Sequence, residues 1–191
     1  MGTKLSEDEK VLLLQHARLA IEYAVKGERL PRLDIQHLST NLRENGASFV
    51  TLTKKTSGQL RGCIGTLTAY QPLIEDVRDH AIAAALEDYR FSPVQSHELA
   101  QLKIEISRLT KPVKVEYANP EELQKKISPH VDGVVIEDGK RRATFLPQVW
   151  EQIPEVDSFL TALCHKMGAS GDLWLKKKLD VSIYQVEEFE E

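Results

Sequence analysis

Cysteine is scarce in this chain. Cys63 and Cys164 are the only two among 191 residues, too few for a disulfide framework, so both are expected as thiols and no structural disulfide is expected. Long apolar runs are missing as well: nothing approaches the roughly 18–20 apolar residues of a membrane span. The charged start, with Lys4, Glu7, Asp8, Glu9 and Lys10, lacks the apolar stretch of a secretory signal, and the expectation is a soluble, cytoplasmic protein with no membrane partner. An excess of positive charge is also absent. The net charge of -4 argues against broad nucleic-acid binding, and the basic runs Lys140-Arg141-Arg142 and Lys176-Lys177-Lys178 read as solvated faces. Direct nucleic-acid binding would need both runs on one face. Fingerprints of several chemistries are lacking too: there is no glycine-rich phosphate loop, no GxSxG elbow, and no metal-ligand spacing among the six histidines, so neither a cofactor nor a metal site is expected.

What is present reads as one globular unit over 1–191, with a possible division into subdomains near 110–130. Ser6 stands three residues before Glu9 as a capping box, and Leu14, Ala17, Ile21 and Ala24 recur on one helical face up to Gly27. The stretch 28–46, with Pro31, reads as loop or short helical turns. Phe49 to Thr53 and Leu60 to Leu67 then read as a hairpin, followed by a helix beginning at Pro72 and ending near Leu86. Leu102, Ile104 and Ile106 alternate with polar residues as a half-buried strand does.

The second half runs in the same order. A short helix capped by Asn119 and opened by Pro120 leads to a hairpin around the Asp138-Gly139 turn. A helix from about Asp157 to Met167, stopped by Gly168, and a strand through Val181, Ile183 and Val186 complete it. The fold class is therefore α+β, with mainly antiparallel sheets and flanking helices. Duplicated strand-strand-helix-strand units would form two subdomains around a cleft, although no residue-level repeat links the halves.

The densest information lies in Leu60-Arg61-Gly62-Cys63-Ile64-Gly65-Thr66. Glycines weaken a strand, so two of them beside a cysteine suggest that another backbone or a ligand comes close. On a regular strand Arg61, Cys63 and Gly65 share one face, and a guanidinium near a thiol favours the thiolate. Cys63 is then a catalytic candidate. Two other readings stand beside it: a small core residue with Arg61 in an ion pair, or a ligand-approach strand without covalent chemistry. Binding candidates are Arg61, Gly62, Gly65 and Thr66 on this strand, Asp88 and Arg90 on the loop after the helix, and Glu105 and Ser107 between Ile104 and Ile106 and beyond. Arg90 could hold a carboxylate or phosphate, or pair locally with Asp88.

Four stretches in order, LRGCIGTL (60–67), DYRFSPV (88–94), KIEISRL (103–109) and ATFLPQVWEQ (143–152), with a looser FLTALCHKMG (159–168), resemble the AMMECR-domain family, called AmmeMemoRadiSam system protein A in prokaryotes. Members commonly carry proline where Tyr89 stands. The resemblance implies a two-part α+β domain with a cleft near the RGCIG segment, and as partners a Memo-like protein and a radical S-adenosylmethionine protein. It implies no settled activity. Two functions stay open: an accessory module binding a small molecule, RNA or partner at the LRGCIGT strand, or an enzyme of nucleotide, RNA or cofactor modification using Arg61 and Cys63.

Overall fold

A computed structural model describes residues 4–191. In chain order the elements are α1 (Glu7–Val25), α2 (Thr40–Arg43), β1 (Asn45–Lys54), β2 (Leu60–Gly65), β3 (Gln71–Pro72), α3 (Leu73–Leu86), β4 (Leu102–Leu109), β5 (Val113–Lys114), α4 (Pro120–Lys126), β6 (Gly133–Asp138), β7 (Arg141–Phe145), α5 (Val156–Lys166), α6 (Leu173–Lys176), β8 (Asp180–Tyr184) and β9 (Val186–Glu190). The chain divides into two compact units, one running to Leu109 and completed by Glu187–Glu191, the other Thr110–Val186. The fold is α+β with antiparallel pairings in both sheets.

The first unit begins at the capping box of α1. The Ser6 hydroxyl accepts from the Glu9 N–H, and the Glu9 carboxylate accepts from the Ser6 N–H, which satisfies two donors that a helix start otherwise leaves unpaired. Gly27 ends the helix at φ +70°, a left-handed conformation that costs glycine little. The sheet has the order β2-β1-β4-β9, with β3 also pairing to β1. Its first face carries Val50, Leu52, Ile104 and Ile106, which pack with Leu13, Ala17 and Ile21 of α1 and Val77, Ala81 and Ala84 of α3. Each such fully buried Leu, Ile or Val contributes about 1.5–3 kcal/mol.

The second unit holds the order β5-β8-β6-β7. Its core centres on Trp150, whose ring stacks on Phe159 at 3.6 Å between centroids and whose Nε1 donates to the Asp132 carbonyl at 2.7 Å. Leu123, Val134, Ile136, Leu160, Leu163 and Val181 surround this pair. In both units the first strand of the hairpin is central, with its hairpin partner on one side and the strand after the helix on the other: β2-β1-β4 and β7-β6-β8.

Several local expectations shift. The β6–β7 turn is Gly139-Lys140 and not Asp138-Gly139, because Asp138 pairs with Arg141 in the ladder and Gly139 takes φ +63° at the first turn position. Pro72 lies one residue before α3, not at its first position, since it still pairs with Asn45 in β1. The final strand is two: β8 ends at Tyr184, and Val186 begins β9 in the other sheet.

Candidate functional site

β2 is an edge strand, and an edge leaves alternate backbone groups without a ladder partner. The Thr66 N–H donates to the Ser48 carbonyl at 3.0 Å. By the two-residue alternation of an antiparallel ladder, Ile64 and Gly62 also face β1, whereas Cys63 and Gly65 turn their N–H and C=O groups outward. Two side chains occupy the outward position at Cys63. The Asp88 carboxylate accepts from the Cys63 N–H at 2.8 Å, and Arg90 Nη2 donates to the Cys63 carbonyl at 3.2 Å. Arg90 also grips Asp88 through Nε at 2.9 Å and Nη2 at 2.7 Å. The pair thus takes the place of a missing neighbour strand and ties the Asp88–Pro93 loop to the sheet edge. Arg90 side-chain hydrogen bonds, followed by the backbone donors of Cys63 and Arg90, hold the Asp88 carboxyl well below the usual carboxylate range despite its burial.

Arg61 departs from the regular strand pattern. Leu60 pairs with Thr53 and Gly62 with Leu52, so Arg61 is the extra residue of a bulge. Its side chain does not run beside the Cys63 thiol as a straight strand predicts. It is buried, with Nε and Nη2 bound to the Glu98 carboxylate at 2.8 and 3.0 Å. Its guanidinium lies 5.9 Å from the Phe91 ring centre, and Arg90 lies 5.6 Å from the same ring, both within cation–π range. The Arg61 pairing lowers the Glu98 carboxyl to about 2.

The two strand glycines have packing causes. A Cβ on Gly62 would stand 2.0 Å from the Ala84 carbonyl oxygen, and one on Gly65 would meet the Phe49 ring and the Ser48 carbonyl at 2.4 Å. The backbone that comes close at Gly62 is therefore that of α3. Gly62 lies on the packed first face, opposite Leu52.

The sheet's second face holds a different set. Cross-strand register places Cys63 opposite Thr51 and Thr51 opposite Glu105; Gly65 is opposite Phe49, and Phe49 opposite Ser107. The Thr51 hydroxyl donates to the Cys63 sulfur at 3.3 Å. Thr51, Cys63 and Glu105 are half-buried, while Ser107 is only 9% exposed. Burial raises the Glu105 carboxyl above its ordinary value, and the charges of Glu188 and Glu190 add to the rise.

The nine candidate residues thus separate into distinct places. Cys63, Gly65, Glu105 and Ser107 share the second face. Arg61, Asp88 and Arg90 form ion pairs at the β2 edge, Gly62 packs on α3, and the Thr66 hydroxyl accepts from the Thr68 N–H at 3.1 Å in the turn beyond β2. Phe49, Thr51, Phe91 and Glu98 belong to these clusters and were not singled out from the sequence; period-two alternation around Val50 and Leu52 marks Phe49 and Thr51 as second-face residues, but no local signal links Glu98 to Arg61. Asp138 pairs with both Arg141 and Lys177, joining the two basic runs, while Arg142 pairs with Glu137 and Lys176 with Asp172. No helix among the described residues is long and apolar enough to cross a membrane. Among the same residues, no group of three or more His, Cys, Asp and Glu side chains is placed to hold a metal ion.

A model of the AMMECR1 family matches residues 14–189. The chain belongs to the AMMECR1 family. Similar members include Protein MK0488 of Methanopyrus kandleri, 34% identical over all of this chain and 92% of its own length, and Protein MJ0810 of Methanocaldococcus jannaschii, 34% identical over 98% of this chain and 92% of its own. The crystal structure of the uncharacterized protein PH0010 from Pyrococcus horikoshii is also similar, at 36% identity with a TM-score of 0.72, covering 94% of this chain and 90% of that one. Within this AMMECR1 chain the LRGCIG and DYRFSPV stretches meet physically, through the contacts of Asp88 and Arg90 with the Cys63 backbone.

Proposed function

We propose that this AMMECR1 protein is a binding module whose recognition surface is the second face of the first unit's sheet, around Cys63, Gly65, Glu105 and Ser107. One observation carries the reading: that face gathers buried and half-buried polar side chains on paired strands, and the RGCIG edge beside it is held by two carboxylate–arginine pairs. Sites on rigid elements hold their ligand groups more sharply than sites on loops. Nucleophilic catalysis by Cys63 fits less well, because the thiol's hydrogen-bond partner is the Thr51 hydroxyl, which is no base at neutral pH, and Arg61 is engaged with Glu98.

A co-purification screen of metabolites and RNA tests the reading by comparing wild type with Cys63→Phe and Arg61→Ala. The expected result is a species retained by the wild type and lost from Cys63→Phe at an unchanged unfolding midpoint. Full retention by Cys63→Phe overturns it. The accessory role extends the proposal to the Memo-like and radical S-adenosylmethionine partners implied by the resemblance, and the same purification with those proteins co-expressed checks for a complex.

A further inference from the structure

Among the described residues two buried side-chain polar atoms have no hydrogen-bond partner, Arg61 Nη1 and Asp76 Oδ1. Asp76 is fully buried, and its other oxygen accepts from the Ser48 hydroxyl at 2.6 Å and lies 3.2 Å from His80 Nδ1. Arg61 stands instead at the sheet edge. Glu98 takes only one side of its guanidinium, Nε and Nη2, and leaves the N–H groups of Nη1 dry and unmet on a side chain only 8% exposed. A buried donor on a cation is costly without an acceptor. Arg90 repeats the arrangement at the surface. Asp88 takes its Nε and Nη2, Nη2 also reaches the Cys63 carbonyl, and Nη1 has no protein partner among the described residues, on a side chain 44% exposed. The two guanidiniums lie against one ring: the half-buried Phe91 has its centre 5.9 Å from Arg61 Cζ and 5.6 Å from Arg90 Cζ.

We infer that the cluster of Arg61, Phe91 and Arg90 binds an oxyanion, a carboxylate or phosphate group, whose oxygens accept from Nη1 of both arginines while the Phe91 ring turns aside to admit it. The site lies at the β2 edge and goes beyond the proposed function, which rests on the second face. An acceptor is what the cluster lacks: guanidinium nitrogens only donate, and their planar amino groups match carboxylate and phosphate oxygens. A cationic ligand finds no such place, because both oxygens of Asp88 and both of Glu98 are already taken by the arginines. These carboxylates fix the orientation of the two guanidiniums and cancel their formal charge. The oxyanion is therefore selected by directed N–H donors and not by a net positive field. Rotation of the Phe91 side chain leaves the backbone contacts of Asp88 and Arg90 in place.

Three probes separate charge from shape: acetate, its neutral counterpart acetamide, and inorganic phosphate. Each is titrated into the full chain at constant ionic strength while the arginine Nε–Hε resonances and the Phe91 ring signals are followed. Acetate and phosphate are expected to shift the Arg61, Arg90 and Phe91 signals together, and acetate to bind about tenfold more tightly than acetamide, the ratio expected of one charge-assisted contact. The tighter of the two anions identifies the source as a phosphate or a carboxylate ligand. Phe91→Ala, which uncovers Nη1, should strengthen the binding of both. Arg61→Lys keeps a cation for Glu98 but has no Nη1, and should reduce acetate to the affinity of acetamide. Shifts confined to Arg90 mean an adventitious ion only and overturn the inference. Equal binding of acetate and acetamide, weaker binding by Phe91→Ala, or an acetate affinity unchanged in Arg61→Lys overturns it as well. If Arg61→Lys loses the wild-type urea midpoint, the Arg61 resonance of the wild type decides alone. None of these outcomes alters the co-purification result with Cys63→Phe, so the two readings fail separately.

Discussion

Replacing Glu98 by Gln tests whether the Arg61 pair holds the RGCIG edge. The Glu98 carboxyl is lowered from 4.5 to about 2, first by its hydrogen bonds from Arg61, and a displacement of that size corresponds to about 3 kcal/mol of folding stability at neutral pH. The Glu98 side chain is 20% exposed, and solvent screening reduces the usable amount to about 1–2 kcal/mol. Because the carboxyl is depressed in the folded state, its contribution is complete above pH 4.5 and fades as pH falls toward 2; more than half is gone by about pH 3. Urea unfolding of wild type and Glu98→Gln from pH 7 to pH 3 should therefore show a gap of about 1–2 kcal/mol at pH 7 that narrows steadily below pH 5. A gap that is absent at pH 7, or that stays constant down to pH 3, would refute the assignment of this pair as the stabilising contact.

Gly62→Ala should cost about 3 kcal/mol in urea unfolding, since its Cβ would stand 2.0 Å from the Ala84 carbonyl and α3 must move to admit it. Gly58→Ala, with nothing within 4 Å but φ +67°, should cost about 1 kcal/mol from backbone strain alone. Trp150→Ala should lose about 4 kcal/mol by creating a cavity against Phe159 and freeing the Asp132 carbonyl, and Trp150→Phe should restore part of this. With iodoacetamide at neutral pH, peptide mass mapping should find Cys63 modified and Cys164 untouched in the folded protein, because Cys164 is fully buried and burial pushes its thiol up. Modification of both at equal rates would contradict the burial of Cys164.

Much of the fold is readable from local signals because those signals act locally. The Ser6 to Glu9 capping box, the Asn119 cap whose side chain accepts from the Glu122 N–H, and the left-handed Gly27 and Gly168 each fix a helix end through a contact within four residues. Period-two alternation places Val50, Leu52, Ile104 and Ile106 on one face for the same reason. Pairing partners lie beyond that range. The two-residue strands β3 and β5 and the separation of β8 from β9 depend on neighbours far along the chain, and a segment as short as Val113–Lys114 becomes a strand only because Ile183 and Ser182 lie beside it. Arg61 shows the same limit at the site: regular alternation puts it beside Cys63, and a single bulged residue carries it to Glu98 instead.

The bulge also changes how the glycine-rich strand bears on function. Arg61, Gly62, Asp88 and Arg90 each have a partner inside the first unit: the Glu98 carboxylate, the Ala84 backbone and the Cys63 peptide groups. Their paired atoms close a sheet edge and seat a helix, work that any function on this fold requires, while Arg61 Nη1 is buried without a hydrogen-bond partner among the described residues. The second-face side chains lie one residue out of phase with the core: Glu105 and Ser107 alternate with Ile104 and Ile106, as Thr51 does with Val50 and Leu52. A variant at the paired residues should therefore change stability and binding together, whereas Cys63→Phe on the second face should change binding alone. Measuring the unfolding midpoint and the retention of a co-purified species on the same samples of Glu98→Gln and Cys63→Phe decides the point, and loss of stability in Cys63→Phe equal to that in Glu98→Gln would return the second face to the scaffold.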